Sequence, residues 1–551
     1  MRAFRLLVKS LVFFPIYIGI NGCQVVDKSK SEQVFYYNED QSIATLDPAF
    51  VKSQSEIWVV SQMLEGLVEY DDSLKIRPSL AKSWEVSADG LLYTFHLRTD
   101  VFFHSNHKIK HLPRRFLAAD VVQSFKRIAD PKTASPGAWI FNDKLDLSCF
   151  DSGSNTSFPV TALNDSTVRI QLKQVYAPFI EVLAMPYCFI VPVDWIDQDF
   201  RKHPIGTGPF FMKQWEEEVS ILLHKNQYYY RFEHGHRLPY LQGICIENVK
   251  NKQTAFMKFV QGEYDFFNGI DASIKDELLS RKGLLKAKYT GQFKLIKQSF
   301  LNTEYIGFNI DPNQQTPNKA VLNADFRKAL GFAIDKQKLI QYLRNGVGHV
   351  ATKGFVPLGF ANYPYQMVHD NVFNLDSAWY YLKRSNVHVN SMSPIIINTT
   401  QDYLDLMVYI QKEWAQLGVP VKIDVHPSSF LRQLRNDQKI HCWRGSWIAD
   451  YSDPENYLVC FESKNFSPQG PNYAHYSNSE FDQLLMQSRF ELNLQKRNKL
   501  LAKADDALMQ QMPYIILFYD ESIRMHQNWV QGLTANPINF LRLRSVKKLT
   551  H

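Results

Sequence analysis

The spacing of apolar and polar positions changes period repeatedly along this chain. Val419, Val421, Ile423 and Val425 alternate with Pro420, Lys422 and Asp424, the period-two pattern of a half-buried strand. Just before them, Tyr403, Met407, Ile410, Trp414 and Leu417 recur every three or four residues, which is one face of an amphipathic helix. Pro394-Ile395-Ile396-Ile397 is a short continuous apolar run and reads as a buried strand. Gly418 supplies the helix stop, because glycine enters the left-handed cap conformation without a Cβ penalty. Strand, helix and strand in this order predict a β-α-β unit, with a right-handed crossover if the strands are parallel.

The same reading predicts a strand from Val34 (VFYYNE), a helix over 55–67, short strands around Tyr70 and a strand over 91–97. A helix follows over 119–128 and another over 326–343. Ser477-x-x-Glu480 reads as a capping box ahead of Phe481. The mixture predicts an α/β architecture, with helices packed on mixed sheets. No internal repeat of 20–50 residues is present.

The first residues follow a different logic. Arg2, Arg5 and Lys9 precede an apolar run from Leu11 to Ile20, too short for the ~20 residues of a membrane-spanning helix. Its length and flanks are those of a secretory h-region. Ile20-Asn21-Gly22-Cys23 then resembles a bacterial lipoprotein box, in which Cys23 would be the lipidated first residue of the mature chain. An ordinary signal peptide with an incidental cysteine is the alternative. Residues 1–22 are therefore set apart as a signal peptide, and the mostly polar residues 23–33 as a tether. The expected location is the periplasm or cell surface, with the membrane reached through the lipid anchor.

Composition narrows the class further. Of 551 residues, 22 in the leader leave 529, too many for a single core, so two or three lobes are expected. A net charge of +7 is small for this length and includes the leader cations, which argues against nucleic acid as the main partner. Arg114-Arg115 and Lys547-Lys548 read as solvated surface. Tyrosine and tryptophan are plentiful (27 and 10), and each offers a flat apolar face with a polar tip, which suits a buried cleft. Besides Cys23 there are five widely spaced cysteines, an odd number that leaves at least one thiol without an intrachain disulfide.

Catalytic patterns are missing. There is no H-E-x-x-H, no P-loop and no G-x-S-x-G elbow, and no C-x-x-C. Gly206-Thr207-Gly208 lacks the third glycine of a dinucleotide loop and is followed by Pro209, so it reads as a tight turn. His104, His107 and His111 have metal-like spacing if helical. They fall instead in a basic strand-to-helix segment, 104–118, where Lys108 and Lys110 oppose a cation, so a solvated loop is expected. Glu233-His234-Gly235-His236 reads as a surface turn. A binding protein with no cofactor and no metal is expected, rather than an enzyme.

Many segments, in order, resemble one family. Leu46-Asp47-Pro48, Leu64-Glu65-Gly66-Leu67 and Pro78-Ser79-Leu80-Ala81-Lys82-Ser83-Trp84 follow its N-terminal pattern. Asp130-Pro131-Lys132-Thr133-Ala134-Ser135-Pro136, Pro204-Ile205-Gly206-Thr207-Gly208-Pro209 and Tyr305-Ile306-Gly307-Phe308-Asn309 continue it. Trp447-Ile448-Ala449-Asp450-Tyr451-Ser452-Asp453-Pro454 resembles its ligand-binding segment. The family is the extracytoplasmic solute-binding proteins of peptide ABC importers, of the oligopeptide- and dipeptide-binding type. The basic segment 104–118 departs from its usual short turn.

The resemblance implies a two-lobed clamp of the large periplasmic-binding-protein type with an extra domain. Lobe I would use residues 34–75, 196–300 and 515–551, the extra domain 76–195, and the ligand-closing lobe 301–514. It also implies a monomer that captures an extended oligopeptide between lobes and delivers it to the permease and ATPase subunits of an importer. Asp450 is the implied partner of the peptide's α-ammonium, because a buried charge without a partner is expensive. Arg444 is implied either to orient Asp450 or to meet a ligand carboxylate through its planar fork. Trp447, Ile448 and Ala449 complete the segment, and Trp139, after Ser135-Pro136-Gly137-Ala138, would wall a side-chain pocket. Trp447 is equally compatible with core packing, and Asp453 with a turn or cap. Nickel chelates, haem, sugars and signalling peptides are the alternative cargoes, and a ligand-sensing receptor without import is the alternative role.

Overall fold

The computed structural model describes residues 33–105, 113–151, 156–195, 200–270, 272–313 and 318–549. The leader, Cys23, His107 and His111 lie outside these ranges. Among the described residues, no helix is long and apolar enough to cross a membrane.

A single large mixed sheet organises the molecule. Its strands lie in the order Val421–Val425, Ile395–Thr399, Cys442–Ile448, Phe293–Phe308, Tyr514–Gln527, Phe266–Asn268, Val34–Asn38, Gly243–Glu247, Ser220–Lys225 and Phe210–Glu216. The two central strands are long, 16 and 14 residues, and antiparallel. Their pairing shifts register between Ser299 and Thr303. On one side of that shift, Tyr514–Gln527 also pairs with Phe266–Asn268; on the other, Phe293–Phe308 pairs with Cys442–Ile448. Both halves of the sheet therefore hang on the same two strands.

The β-α-β unit forms as its periodicity predicts. Ile395–Thr399 and Val421–Val425 pair in parallel around the helix Leu404–Ala415. Trp414 is fully buried and donates its indole N–H to the Leu330 carbonyl at 3.0 Å. Gly418 takes φ +75°, the left-handed conformation its position requires.

A second sheet of four antiparallel strands stands apart: Ala81–Val86, Leu92–Leu97, Thr167–Gln171 and Val160–Asn164. The helix Ala118–Ala129 packs on it, and Asp120 ties its start by accepting the Leu117 N–H at 2.9 Å.

Several expectations need correction. The helix at 55–67 stops at Val60, spanning Gln54–Val60. Two carbonyls just beyond it are taken by the glycine turn: Gly208 N–H donates to Met63 and Phe210 N–H to Gln62. The helix over 326–343 is two, Ala324–Phe332 and Lys336–Leu343, broken where Asp335 caps the second by accepting the Lys338 N–H. The later cap is Asn478, one residue past Ser477, accepting the Phe481 N–H at 3.0 Å. His104 is buried rather than solvated, held by the same glycine turn, with Nε2 2.9 Å from the Gly208 carbonyl. Burial pushes its imidazole down to about 4, so it is neutral at pH 7. Arg114 is half-buried on Asp120, and Lys548 is buried on Asp265 at 3.0 Å; only their neighbours Arg115 and Lys547 are exposed. Glu233 and His236 do pair in a surface hairpin, with His234 and Gly235 at its tip in positive φ.

Candidate functional site

A cavity of about 460 Å³ lies where the four-stranded-sheet side meets the segment after Cys442–Ile448. Asp450, Trp447 and Trp139 all line it, as do Tyr176, Tyr451, Glu455, Asn456 and Arg489. Sequence places Trp139 and Asp450 more than three hundred residues apart, and the fold brings them to one cleft.

The position of Trp139 is set by its preceding turn. Ser135 Oγ donates to the Ala49 carbonyl at 2.6 Å and accepts the Gly137 N–H at 3.1 Å. The Tyr187 ring lies where a Cβ on Gly137 would stand, 2.6 Å away, so only glycine fits. Trp139 then meets Tyr451 ring to ring, 5.9 Å between centroids.

Asn456 holds the other wall. Its Oδ1 accepts the Trp447 indole N–H at 3.1 Å and the Asp450 backbone N–H at 3.2 Å, which fixes both residues to one buried amide. The Ala449 N–H is spent on the Leu301 carbonyl at 2.9 Å, and Ile448 is half exposed. Asp453 is the cap its sequence suggested, accepting the Glu455 N–H at 2.8 Å. It is also clamped by both terminal nitrogens of Arg497, at 2.5 and 2.6 Å.

Asp450 has an unusual balance. Its surface is open to the cleft, yet the surrounding protein pushes its carboxyl up to about 6, with only a hydrogen bond from Asn456 opposing. Among the described residues no lysine, arginine or histidine forms an ion pair with it, whereas Asp453, Glu455 and Glu462 each have an arginine. Tyr176 and Tyr451 both donate to Glu455, so the two walls of the cleft share one buried carboxylate.

Arg444 is not brought to Asp450. It forms an ion pair with the buried Glu304 and lies over the Tyr403 ring. Strand geometry explains the separation: residues three apart on a strand face opposite sides, so Arg444 and Trp447 point apart. Asn456, Tyr176 and Glu455 were not found by sequence reasoning; adjacency to the Asp450 segment was the one signal for Asn456 and Glu455. Among the described residues, no group of three or more histidine, cysteine, aspartate or glutamate side chains is placed to hold a metal ion.

Two halves of one sheet, an added four-stranded domain and a cleft between them define the class: a large two-lobed clamp of the periplasmic-binding-protein type. Residues 75–504 match the model for bacterial extracellular solute-binding proteins, family 5 (middle region), and the chain belongs to that family. It is similar along nearly its full length to heme-binding protein A of Haemophilus influenzae, 26% identical and covering 94% of this chain and 92% of that one. It is also similar to the oligopeptide-binding protein OppA of Bacillus subtilis, 26% identical and covering 93% and 91%. Among solved structures, HbpA2 from Haemophilus parasuis matches with a TM-score of 0.77 at 25% identity, covering 94% of this chain and 100% of that one. DppA from Helicobacter pylori, in complex with the peptide STSA, matches at 0.75 and 25%, covering 94% and 98%.

Proposed function

We propose that this protein captures peptides outside the cytoplasmic membrane and hands them to an ABC-type importer, making and breaking no bonds itself. The observation that carries the reading is Asp450: a carboxylate facing a cleft, fixed through Asn456, with no cation of the protein's own. A carboxylate so placed is completed by a ligand ammonium. Relatives named as dipeptide- and oligopeptide-binding proteins, and a similar structure holding a peptide, support peptide as the source of that ammonium. Trp447 and Trp139 supply apolar walls, and Ile448 an exposed apolar edge beside Asp450. Arg444 acts at one remove, by holding Glu304. Cys23 is the proposed lipid attachment point, with residues 23–33 as the tether.

The test compares free-amino and N-acetylated peptides by calorimetry on the wild type and on Asp450→Ala. Truncating one partner of a desolvated charge pair costs about 2–5 kcal/mol. Asp450→Ala is therefore expected to weaken free-amino peptides by about 30-fold or more and N-acetyl peptides far less. Equal losses for both would remove Asp450 from this role. Haem is the competing cargo, since heme-binding protein A is similarly related; a haem absorbance band in the purified protein, with no peptide binding, would establish it.

A further inference from the structure

The cleft holds a second group without an ionic partner. Lys144 follows Trp139 by five residues and lines the same cavity as Asp450. Its Nζ lies 4.8 Å from the Tyr176 ring centroid and 5.6 Å from that of Trp139. It donates to the Trp139 carbonyl at 3.0 Å and, at 3.4 Å, to that of Asn142. An ammonium carries three donors, so two carbonyls leave one, and neither carbonyl nor ring supplies a full negative charge.

The other charges of the lining are accounted for. Arg489 is held by Glu455 at 2.8 Å and by Glu462 at 2.7 Å. Lys464 is mostly exposed and reaches Glu462 at 3.4 Å. Asp143 is an exposed carboxylate. Among the described residues of the cleft, Lys144 is the cation without a carboxylate partner, and Asp450 is the carboxylate anchored by Asn456 without a cation. Burial lowers Lys144 to about 8, with Arg489 and Lys464 adding to the effect and Glu455 and Asp143 opposing it. A negative charge from outside would relieve this.

One cavity thus presents an uncompensated ammonium and an uncompensated carboxylate between two tryptophans. Its volume of about 460 Å³ lies in the lower part of the roughly 300–1,000 Å³ range of small-ligand sites. We propose that Lys144 receives the carboxylate of the ligand while Asp450 holds its ammonium, so that the cleft selects short zwitterionic peptides, two or three residues long, with both termini free. This rests on the peptide reading above and adds to it the ligand's length class and its C-terminal requirement. A longer chain must carry its carboxylate past Lys144, and a C-terminal amide leaves the lysine as it was.

The experiment titrates one tripeptide, its C-terminal amide and its N-acetyl form into the full chain and into Lys144→Met and Lys144→Arg. In the wild type the amide is expected to bind at least about tenfold more weakly than the free acid. Lys144→Met closes that gap to within about twofold, Lys144→Arg keeps most of it, and the N-acetyl penalty persists in both variants. An amide that binds the wild type as tightly as the free acid overturns the proposal, whether or not a variant folds. So does a gap that survives Lys144→Met in a protein whose melting curve is unchanged. If none of the three forms binds the wild type, the peptide reading itself fails, and this proposal falls with it.

Discussion

At the scale of single residues, the site is governed by where charge is left uncompensated. Asp450 is pushed up to about 6 in the unliganded cleft, and an ammonium beside it would lower that value. Binding of a free-amino peptide then requires the deprotonated form. Affinity is full above pH 6 and falls as pH drops through 6, by about tenfold per unit, until the lower bound-state value is reached. Calorimetry of one peptide between pH 4.5 and 8 checks this, and Asp450→Asn should flatten the profile. A neighbouring aspartate has a different task. Arg497 and Asp453 are both buried and joined by two hydrogen bonds, and removing one member of such a pair costs about 3–5 kcal/mol. Arg497→Met is expected to lower the melting temperature while Arg497→Lys loses less, read by thermal unfolding without ligand.

Sequence showed Asp450, Trp447 and Trp139 as candidates because each sits in a short ordered segment. It did not show Lys144 or Tyr176. Neither lies in a periodic run, and their significance comes from facing residues three hundred positions later. Arg114 and Lys548 were misjudged for a related reason: a basic pair looks solvated unless its carboxylate, Asp120 or Asp265, can be seen across the fold.

At the scale of elements, local pattern succeeded where one helix or strand satisfies its own groups. The unit from Ile395 to Val425 is such a case, with period, stop residue and parallel pairing all agreeing. Prediction ran past the true end of the helix Gln54–Val60 because the backbone beyond it is claimed from elsewhere. The claimant is the turn at Gly206 and Gly208. A Cβ at Gly208 would stand 2.6 Å from the Met63 carbonyl oxygen, with the backbone rather than a flexible side chain in the way. Gly208→Ala is accordingly expected to destabilise by about 1–3 kcal/mol, the usual range for overpacking, measurable as a lowered denaturant midpoint. The same turn buries His104, which is why the metal-like spacing of the three histidines was misleading.

At the scale of the whole molecule, the walls of the cleft come from different parts of the fold and already touch through Tyr176, Tyr451 and Glu455. Tyr70 adds a further link, accepting the Ser452 N–H at 3.1 Å and donating to the Glu181 carbonyl at 2.8 Å. A ligand held by both walls stabilises the joined arrangement over the parted one, and its differential affinity sets how far the population moves. Peptide at about 100 times its dissociation constant should add about 2.7 kcal/mol to stability. A thermal shift that grows with the logarithm of peptide concentration, together with a smaller radius of gyration in solution scattering, is the expected result. A ligand held by one wall alone would give the first without the second.

The strand Tyr514–Gln527 lies in the middle of the large sheet, between Phe293–Phe308 and Phe266–Asn268, although it comes from the last tenth of the chain. A growing polypeptide can therefore assemble its four-stranded domain and its β-α-β unit early, but it cannot zip the main sheet until synthesis is nearly over. Until then the inner edges of the neighbouring strands stay unpaired. Such a chain remains threadable for most of its synthesis and locks only at the end, a timing that suits a polypeptide exported before it folds.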